Sequence, residues 1–471
     1  METWSLPITF AILLFGVFVI RKLWLGALLA ILFFLTAKFA LTADVGFAYA
    51  PAWSALVISQ ELGLLLFGAY LFFSTLADHR HFDGLIQVTS SFSSRLFILI
   101  ILCVFMGSFM EGIAGFGIPA MLIAPLLVTL GYRPLTCIVL PLATNTTAVT
   151  FGALGTPLKV GFGILHPDAT VAYTLLLNAL PALTLPLLLA YLYGKTEQTK
   201  VDWQTNWKML LGAGLIFSLL YVSMGLVSVE FPAVVAGFLG LVLFVSFFVP
   251  KAERPSQVFW LKTFYPYFLF IFLLLSAKFL LSGYTWRLTE STRALSFYQP
   301  GLIFILSSWI YLKLNSHSGN FTRLSHSTLN KTGKSILTIL LLVVLVQLLQ
   351  GDLSALVERY YVVLQPGTKE LLNPLLGILG SFISGSATMS NLMFGSAIAS
   401  DALLADQLPY LLALLHTGSA IGNSISLQNI IMVKSVVNQA GIGFPQVLKL
   451  NSLAVGLYLI LVLVLVLWIG S

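Results

Sequence analysis

Two stretches rich in glycine and hydroxyl residues interrupt apolar segments of this 471-residue chain. The first, Glu111-Gly-Ile-Ala-Gly-Phe-Gly-Ile-Pro119, places three glycines and a proline close together, and this composition breaks a helix. The second, Gly385-Ser-Ala-Thr-Met-Ser-Asn391, adds hydroxyl and amide groups. Within lipid, freed backbone groups are tolerated only where protein or water surrounds them. Because free amides and half-helix N-termini attract anions, these stretches predict an anion site.

Two further polar stretches, Ala143–Thr147 and His416–Gln428, add candidate substrate contacts, and a further break is predicted at Gly152-Ala-Leu-Gly-Thr-Pro157. Asn and Thr side chains both donate and accept hydrogen bonds, which suits a hydroxy acid. The alternative interpretation is structural, since small residues allow close helix packing and polar side chains tie neighbouring helices together. The candidate substrate-binding residues are Gly112, Gly115, Gly117, Asn145, Thr146, Ser386, Thr388, Ser390, Asn391, Asn423 and Gln428.

Charged side chains within apolar segments are costly and usually functional. Glu111 is the predicted proton carrier, because removal from water favours the neutral form of a carboxyl group; it could instead cap the freed amides of its own broken helix. Glu61 is a second candidate, or a residue near the membrane interface. Lys159 and Lys434 are candidate partners of a substrate carboxylate, although such side chains also snorkel to the interface. His416 is interpreted as a structural residue rather than a proton relay.

The composition indicates the class of protein that must position these residues. Hydrophobic residues make up 58% and charged residues 9% of the chain, against about 25% charged residues in soluble domains. Apolar runs recur along the whole sequence, and the basic residues behind the net charge of +7 lie in short loops, as orientation in a membrane requires. We therefore predict a multi-pass protein of the lipid bilayer, with a retained first span and no soluble domain. Nucleic-acid binding is excluded, and the two cysteines support neither a disulfide framework nor a metal site.

An internal repeat gives the predicted architecture. Gly107-Ser-Phe-Met-Glu-Gly112 recurs 273 residues later as Gly380-Ser-Phe-Ile-Ser-Gly385, and the apolar segments correspond at the same offset. The distribution of basic loops predicts that the two copies are inverted in the membrane, as in many secondary transporters. The prediction is an all-α polytopic membrane protein with two inverted repeats, broken or re-entrant helices and about 12–16 membrane segments. The predicted divisions are a first half at 1–200 with a core motif at 95–160, linker helices at 201–255, and a second half at 256–471 with a core motif at 370–435.

Over about 85–160 and 375–450, the order and spacing of the motifs closely resemble the L-lactate permease family. The resemblance implies a bacterial inner-membrane symporter that takes up L-lactate, D-lactate, glycolate or a related 2-hydroxymonocarboxylate together with a proton. It also suggests kinship with transporters whose transport domain moves against a scaffold. The motifs that carry the resemblance are Glu111–Pro119, Leu130-Gly-Tyr-Arg-Pro-Leu135, Asn145, Phe151–Pro157, Gly380–Gly395 and Gly422–Ile430.

Two departures from the family pattern concern the substrate. Ala387 stands where the family tends to carry Asp or Asn, and Asn423 stands where it carries a Lys that would pair with a carboxylate. A Na⁺-coupled carrier of another organic anion is the alternative, because broken helices with carbonyls and Asn side chains also hold Na⁺. A membrane-embedded enzyme would need a nucleophile with a base, or a metal motif such as His-x-x-x-His, and the sequence contains neither. We therefore predict a transporter without cofactor or metal, and leave homo-oligomerisation open.

Overall fold

The structure is a computed structural model that describes residues 2–20, 22–42, 46–79, 92, 94–115, 117–165, 168–250, 254–287, 294–315, 320–361, 363–399, 406–437 and 442–470. Phe116 of the first motif and most of residues 78–95, one of the predicted basic loops, lie outside these residues. The described chain is helical apart from two short strands, β1 (Thr285–Trp286) and β2 (Leu295–Ser296), which pair antiparallel. The predicted all-α class is confirmed.

Short 3₁₀ turns lie at Gly46–Ala48, Gly163–Leu165 and Asn423–Ile425, and a π-helical segment, Ile100–Met106, joins two α-helices into one span. The α-helices are α1 (Glu2–Phe18), α2 (Leu23–Thr42), α3 (Tyr49–Asp78), α4 (Arg95–Leu99), α5 (Gly107–Ala114), α6 (Ile118–Thr129), α7 (Pro134–Thr144), α8 (Thr146–Val149), α9 (Gly152–Lys159), α10 (Asp168–Glu197), α11 (Trp203–Gly225), α12 (Pro232–Phe248), α13 (Gln257–Leu281), α14 (Pro300–Leu314), α15 (Asn320–Tyr360), α16 (Pro366–Ser384), α17 (Ala387–Ala399), α18 (Leu408–Gly422), α19 (Leu427–Val437) and α20 (Phe444–Gly470).

Eight helices of the described chain are long and apolar enough to cross a membrane. A ninth span results if Pro134–Val149 and Gly152–Lys159, which are bent by 54° at a short break, are counted as one. Four shorter apolar helices, of 10–17 residues, accompany them. The bent pair is the kind of broken or re-entrant element that the glycine and proline spacing predicts.

The chain divides into two compact units, and the first comprises Met1–Val88 and Pro255–Leu353. Within it, α1 packs on α2 and α3 packs on α14. The second contact is close because both helices carry a glycine there: a Cβ placed on Gly68 would lie 2.3 Å from the Gly301 carbonyl oxygen. An ion pair with 2.7 Å between Lys38 Nζ and Asp352 Oδ1 ties two further segments together.

The second unit comprises Thr89–Arg254 and Ser354–Ser471, and it contains both predicted core motifs. Here α16 packs on α18 with almost no space between the backbones, since a Cβ on Gly377 would lie 2.1 Å from the Leu415 carbonyl oxygen. Helix α9 packs on both α5 and α17, and α19 packs on α6. The broken segments of the two motifs therefore meet inside one unit. The repeat halves at 1–200 and 256–471 rest on sequence similarity and stay a prediction.

Candidate functional site

The first break lies between α5 and α6, where the sequence predicts it. Helix α5 ends with the Gly115 amide donating to the Glu111 carbonyl oxygen at 3.0 Å. Gly115 then has φ +63° and Gly117 has φ +72°, a left-handed conformation that only glycine adopts at little cost. Pro119, in the first turn of α6, needs no amide partner. The two glycines thus allow the chain to leave one helix and enter the next within a few residues.

The second break lies between α16 and α17 and has a simpler form. Gly385, with φ +74°, ends α16, and the Ser386 hydroxyl accepts a hydrogen bond from the Met389 amide at 3.4 Å, capping α17. The amides of Ala387 and Thr388 have no acceptor among the described residues, as expected in the first turn of a helix. The N-terminus of α17 therefore offers two free N–H donors and the positive end of its dipole.

A third break bends the chain through α7, α8 and α9. Asn145 separates α7 from α8, and Ala153, Leu154 and Gly155 follow one another with φ of 46°, 59° and 74°. Left-handed backbone costs a non-glycine residue about 1–2 kcal/mol, so surrounding contacts must hold this turn. Gly155 lies against the α11–α12 connection, where a Cβ would come within 2.6 Å of the Val229 carbonyl oxygen.

The three breaks line one cavity of about 300 Å³ of empty space, part of which is open to the surroundings. Five predicted residues line it: Glu111, Gly115, Ser386, Thr388 and Asn423. The rest of the lining, which the sequence did not single out as substrate contacts, is mainly apolar or glycine and consists of Val149, Gly152, Ala153, Pro157, Gly385 and Ala387. The cavity therefore has a carboxyl group, hydroxyl and amide donors, and an apolar wall.

Glu111 is 2% exposed and faces this cavity with its carboxyl group. Its Oε2 accepts a hydrogen bond from Asn145 Nδ2 at 2.8 Å. Gly152 makes room for the carboxyl group, since a Cβ there would lie 2.8 Å from Glu111 Oε1. Asn145 Oδ1 is buried and has no hydrogen-bond partner within the described chain. Asn145 was predicted to contact substrate, and here it holds the carboxylate.

Asn423 is positioned by a residue that was not selected as a candidate, Asn429. Asn429 Nδ2 donates to Asn423 Oδ1 at 2.7 Å and to the Asn423 carbonyl oxygen at 3.1 Å. The same nitrogen lies 3.4 Å from the Gly385 carbonyl oxygen, at the second break. Both oxygens of Asn423 thus accept hydrogen bonds, whereas its side-chain nitrogen Nδ2 has no acceptor within the described ranges. Asn423 is therefore set up to donate to a bound molecule.

Ser390 and Asn391 were predicted to bind substrate; neither is among the residues that line the cavity, and both belong to a buried hydrogen-bond network. Asn391 Nδ2 donates to the Pro157 carbonyl oxygen and lies beside His416 Nδ1, each at 2.9 Å. His416 Nε2 lies 2.8 Å from the Thr150 carbonyl oxygen, which can only accept. His416 is therefore the neutral Nε2–H tautomer, accepting from Asn391 through Nδ1. Ser390 donates to the Gly377 carbonyl oxygen at 2.9 Å, so these residues join α9, α16, α17 and α18.

Four other predicted contacts also serve packing. Gly112 lies against α12, where a Cβ would come within 2.6 Å of the Val234 amide. Gly117 lies against Asn429, since a Cβ on Gly117 would lie 3.1 Å from Asn429 Oδ1. Gln428 lies against Gly385, since a Cβ on Gly385 would lie 3.1 Å from the Gln428 side chain. Thr146 donates to the Ala143 carbonyl oxygen at 3.1 Å. The second candidate carboxylate, Glu61, lies in α3 of the other unit.

The two candidate cations do not line the cavity. Lys159 Nζ lies 2.6 Å from Glu230 Oε1, and the Glu230 side chain is only 3% exposed whereas that of Lys159 is 41% exposed. Glu230 was missed because it looks like an ordinary residue of the α11–α12 connection. Lys434 lies in the last turn of α19. Within the described ranges, no group of three or more His, Cys, Asp or Glu side chains could hold a metal ion.

Replacing Lys159 by Met is expected to destabilise the protein rather than to weaken substrate binding. The change leaves the buried Glu230 carboxylate without this ion-pair partner, and because Lys159 is partly exposed we expect a loss of about 1–3 kcal/mol. The melting temperature in detergent should fall and should recover in the double variant Lys159→Met with Glu230→Gln. An unchanged melting temperature with a raised KM for the substrate would instead make Lys159 a substrate contact.

Comparison with known proteins adds a family and several relatives. The family model described as L-lactate permease matches residues 3–260 and 257–470. A relative from Haemophilus influenzae is 26% identical over 449 residues, 82% of each chain. The L-lactate permease of Streptococcus iniae is 27% identical over 356 residues, covering 69% of this chain and 74% of its own. The glycolate permease GlcA of Escherichia coli is 32% identical over 160 residues, covering 33% of this chain and 28% of its own.

Among solved structures, the YdaH transporter of Alcanivorax borkumensis is similar over 92% of this chain and 89% of its own, with 14% sequence identity and a TM-score of 0.44. MtrF of Neisseria gonorrhoeae, whose structure is described as that of an antimetabolite efflux pump, is similar over 93% of this chain and 83% of its own, with 12% identity and a TM-score of 0.39.

Proposed function

The chain belongs to the L-lactate permease family, and from this premise we propose that it takes up L-lactate by proton symport. D-lactate, glycolate or a related 2-hydroxymonocarboxylate are the further substrates of the proposal. The protein is a multi-pass transporter and not an enzyme. Its relatives are bacterial, which supports a location in the bacterial inner membrane. The observation that carries the proposal is that a buried carboxyl group and a set of free donors line the same cavity.

The N-terminus of α17 supports binding of the substrate carboxylate. Ser386, Ala387 and Thr388 all line the cavity, and they carry two amides without an acceptor in the described chain and two hydroxyl groups. Hydrogen bonds from amides at a helix N-terminus are favourable for an anion even without a basic side chain. This arrangement offsets the replacement of the family's Lys by Asn423, because the α17 N-terminus supplies positive potential.

The remaining lining fits a small 2-hydroxy acid. Asn423 keeps an amide donor that can bind the 2-hydroxyl oxygen. Val149 and Ala387 belong to one buried apolar cluster, and Ala153 extends the wall that a methyl group would contact. Lactate has a carboxylate, a hydroxyl and one methyl, and the lining residues offer a group of suitable chemistry for each.

Glu111 supports the proton-coupled part of the proposal. A substrate anion in the cavity that Glu111 lines would repel an ionised Glu111 across a medium that screens charge poorly. Protonation of Glu111 removes that repulsion, so proton and anion favour each other's binding. Such reciprocal coupling is the thermodynamic requirement of a symporter.

Uptake of radiolabelled L-lactate into proteoliposomes tests the proposal directly. An inside-alkaline pH gradient is expected to drive accumulation of lactate above equilibrium, and an inward Na⁺ gradient at equal pH is not. Competition with D-lactate, glycolate, pyruvate, gluconate and citrate then ranks the substrates. Accumulation driven by Na⁺ alone would favour the alternative carrier, and folded protein that moves none of these acids would refute the proposal.

A further inference from the structure

The hydrogen bonding of Asn145 is asymmetric in a way that the proposed function leaves unexplained. Its Nδ2 donates to Glu111 Oε2 at 2.8 Å, yet its Oδ1 is buried and has no partner within the described chain. A buried oxygen without a donor costs free energy, and most buried amides avoid it. The unpartnered oxygen belongs to the same amide group that holds the carboxyl group facing the cavity.

We propose that Asn145 is a positioning residue that serves Glu111 in both of its protonation states. An ionised carboxylate only accepts hydrogen bonds, and Asn145 Nδ2 donates to it. A protonated carboxyl group also donates, and a half-turn of the amide brings Oδ1 to the place of Nδ2 to accept that bond. Asn145 thereby holds Glu111 in one position whether the Glu111 carboxyl group is protonated or ionised. This inference rests on the proposed proton coupling.

The position of Asn145 in the fold connects this change in hydrogen bonding to the substrate cavity. Asn145 lies between α7 and α8, and the chain that follows it through α8 and α9 contributes Val149, Gly152, Ala153 and Pro157 to the cavity. The residue that responds to the proton on Glu111 therefore belongs to the segment that lines the anion's cavity. A hydrogen bond that strengthens or weakens with protonation acts on this segment directly.

Other ionisable groups near Glu111 do not compete for this role. The π-helical segment and α6, α8, α9 and α12 all pack against α5. Among their described residues, the ionisable side chains are the Cys103 thiol and Lys159, which pairs with Glu230. On α5 itself, Glu111 is the one ionisable residue of the described sequence. The carboxyl group that gains and loses a proton beside Asn145 is therefore Glu111.

The first test compares proton-driven uptake with exchange for Asn145→Leu in proteoliposomes. Without the amide, the ionised form of Glu111 loses its donor, so release of the proton during the return of the empty carrier is impeded. We expect uptake driven by a pH gradient to fall at least about tenfold. Exchange of labelled for unlabelled lactate, which needs no release of the proton, should fall much less, so the ratio of proton-driven uptake to exchange decreases.

Asn451→Leu is the matched control. Asn451 is fully buried, donates one hydrogen bond to the Ser424 carbonyl oxygen at 2.8 Å and has an Oδ1 without a described partner, like Asn145. Its replacement should alter the yield of folded protein but not the ratio of proton-driven uptake to exchange. If Asn145→Leu does not fold, Asn145→Ala removes the same groups without adding volume and takes its place.

Infrared spectroscopy of the purified protein in lipid gives a readout that a purely structural role would not change. The C=O band of protonated Glu111 is assigned by its loss in Glu111→Gln. It should move to higher wavenumber in Asn145→Leu, because the carboxyl group no longer donates to an amide. An unshifted band, or a leucine variant that couples uptake to the pH gradient as well as wild type, would overturn the role of Asn145. Absence of uptake by the wild type would instead refute the proposed function.

Discussion

Glu111→Gln is expected to abolish proton-driven accumulation of lactate while lactate exchange continues. Glutamine has the shape of a protonated glutamate and can keep the hydrogen bond to Asn145, so the cavity stays intact. It cannot release a proton, which leaves the carrier fixed in its substrate-accepting form. A positioned proton-transfer group typically contributes about 10²–10⁴-fold, and we expect net uptake under a pH gradient to fall at least about 100-fold. Labelled-lactate uptake and exchange in the same proteoliposomes measure both quantities.

Glu61→Gln separates the two candidate carboxylates in this experiment. Glu61 lies in α3 of the first unit and is not among the residues that line the cavity of the second. If the proton is carried by Glu111, only the Glu111 variant loses accumulation while keeping exchange. The reverse pattern, with coupling lost in Glu61→Gln alone, would transfer the proton-carrying role to the other unit.

Thr388→Val is expected to raise the KM for lactate about tenfold without loss of folded protein. Valine keeps the shape of threonine and removes the hydroxyl group that faces the cavity at the N-terminus of α17. The free amides remain, so the substrate carboxylate loses one of several donors and binding is weakened rather than lost. Initial rates of exchange over a range of lactate concentrations give the KM.

Ser396→Ala is the control for this change, because Ser396 lies on the same helix and its buried hydroxyl is also unpartnered within the described chain, yet it does not line the cavity. Its replacement should leave the KM for lactate unchanged. A tenfold effect of Ser396→Ala, or none of Thr388→Val, would place the substrate away from the N-terminus of α17.

The breaks themselves could be predicted from the sequence because their causes are local. Glycine at positive φ and proline in a first turn act within a few residues of the chain, so Gly115, Gly117 and Gly385 mark their turns by type alone. Glu111 could be selected for a similar reason, since the cost of a carboxylate in an apolar segment depends little on the partner. Five of the predicted residues indeed line one cavity.

The partners of these residues could not be predicted, because they come from distant parts of the chain. Glu230 pairs with Lys159 across 71 residues, and Asn391 meets His416 and Pro157 only after α9, α17 and α18 have packed together. Gly112 illustrates the same limit. A glycine beside a break can either offer its backbone to a substrate or allow a neighbouring helix to pack closely, and only the position of α12 shows that Gly112 does the second. The role of a polar residue in a transporter core can therefore be assigned only once the packing of the helices around it is known.

The presence of one carboxyl group on α5 has an electrical consequence. With a proton on Glu111 and a monoanion bound, the site has the same net charge as the empty site with Glu111 ionised. The loaded carrier moving inward and the empty carrier returning would then carry equal charge across the membrane in opposite directions. The electrical work of each step, about 2.3 kcal/mol per charge per 100 mV, would therefore cancel over a complete cycle. The lactate ratio would follow the pH difference alone, about tenfold per pH unit, whatever the membrane voltage.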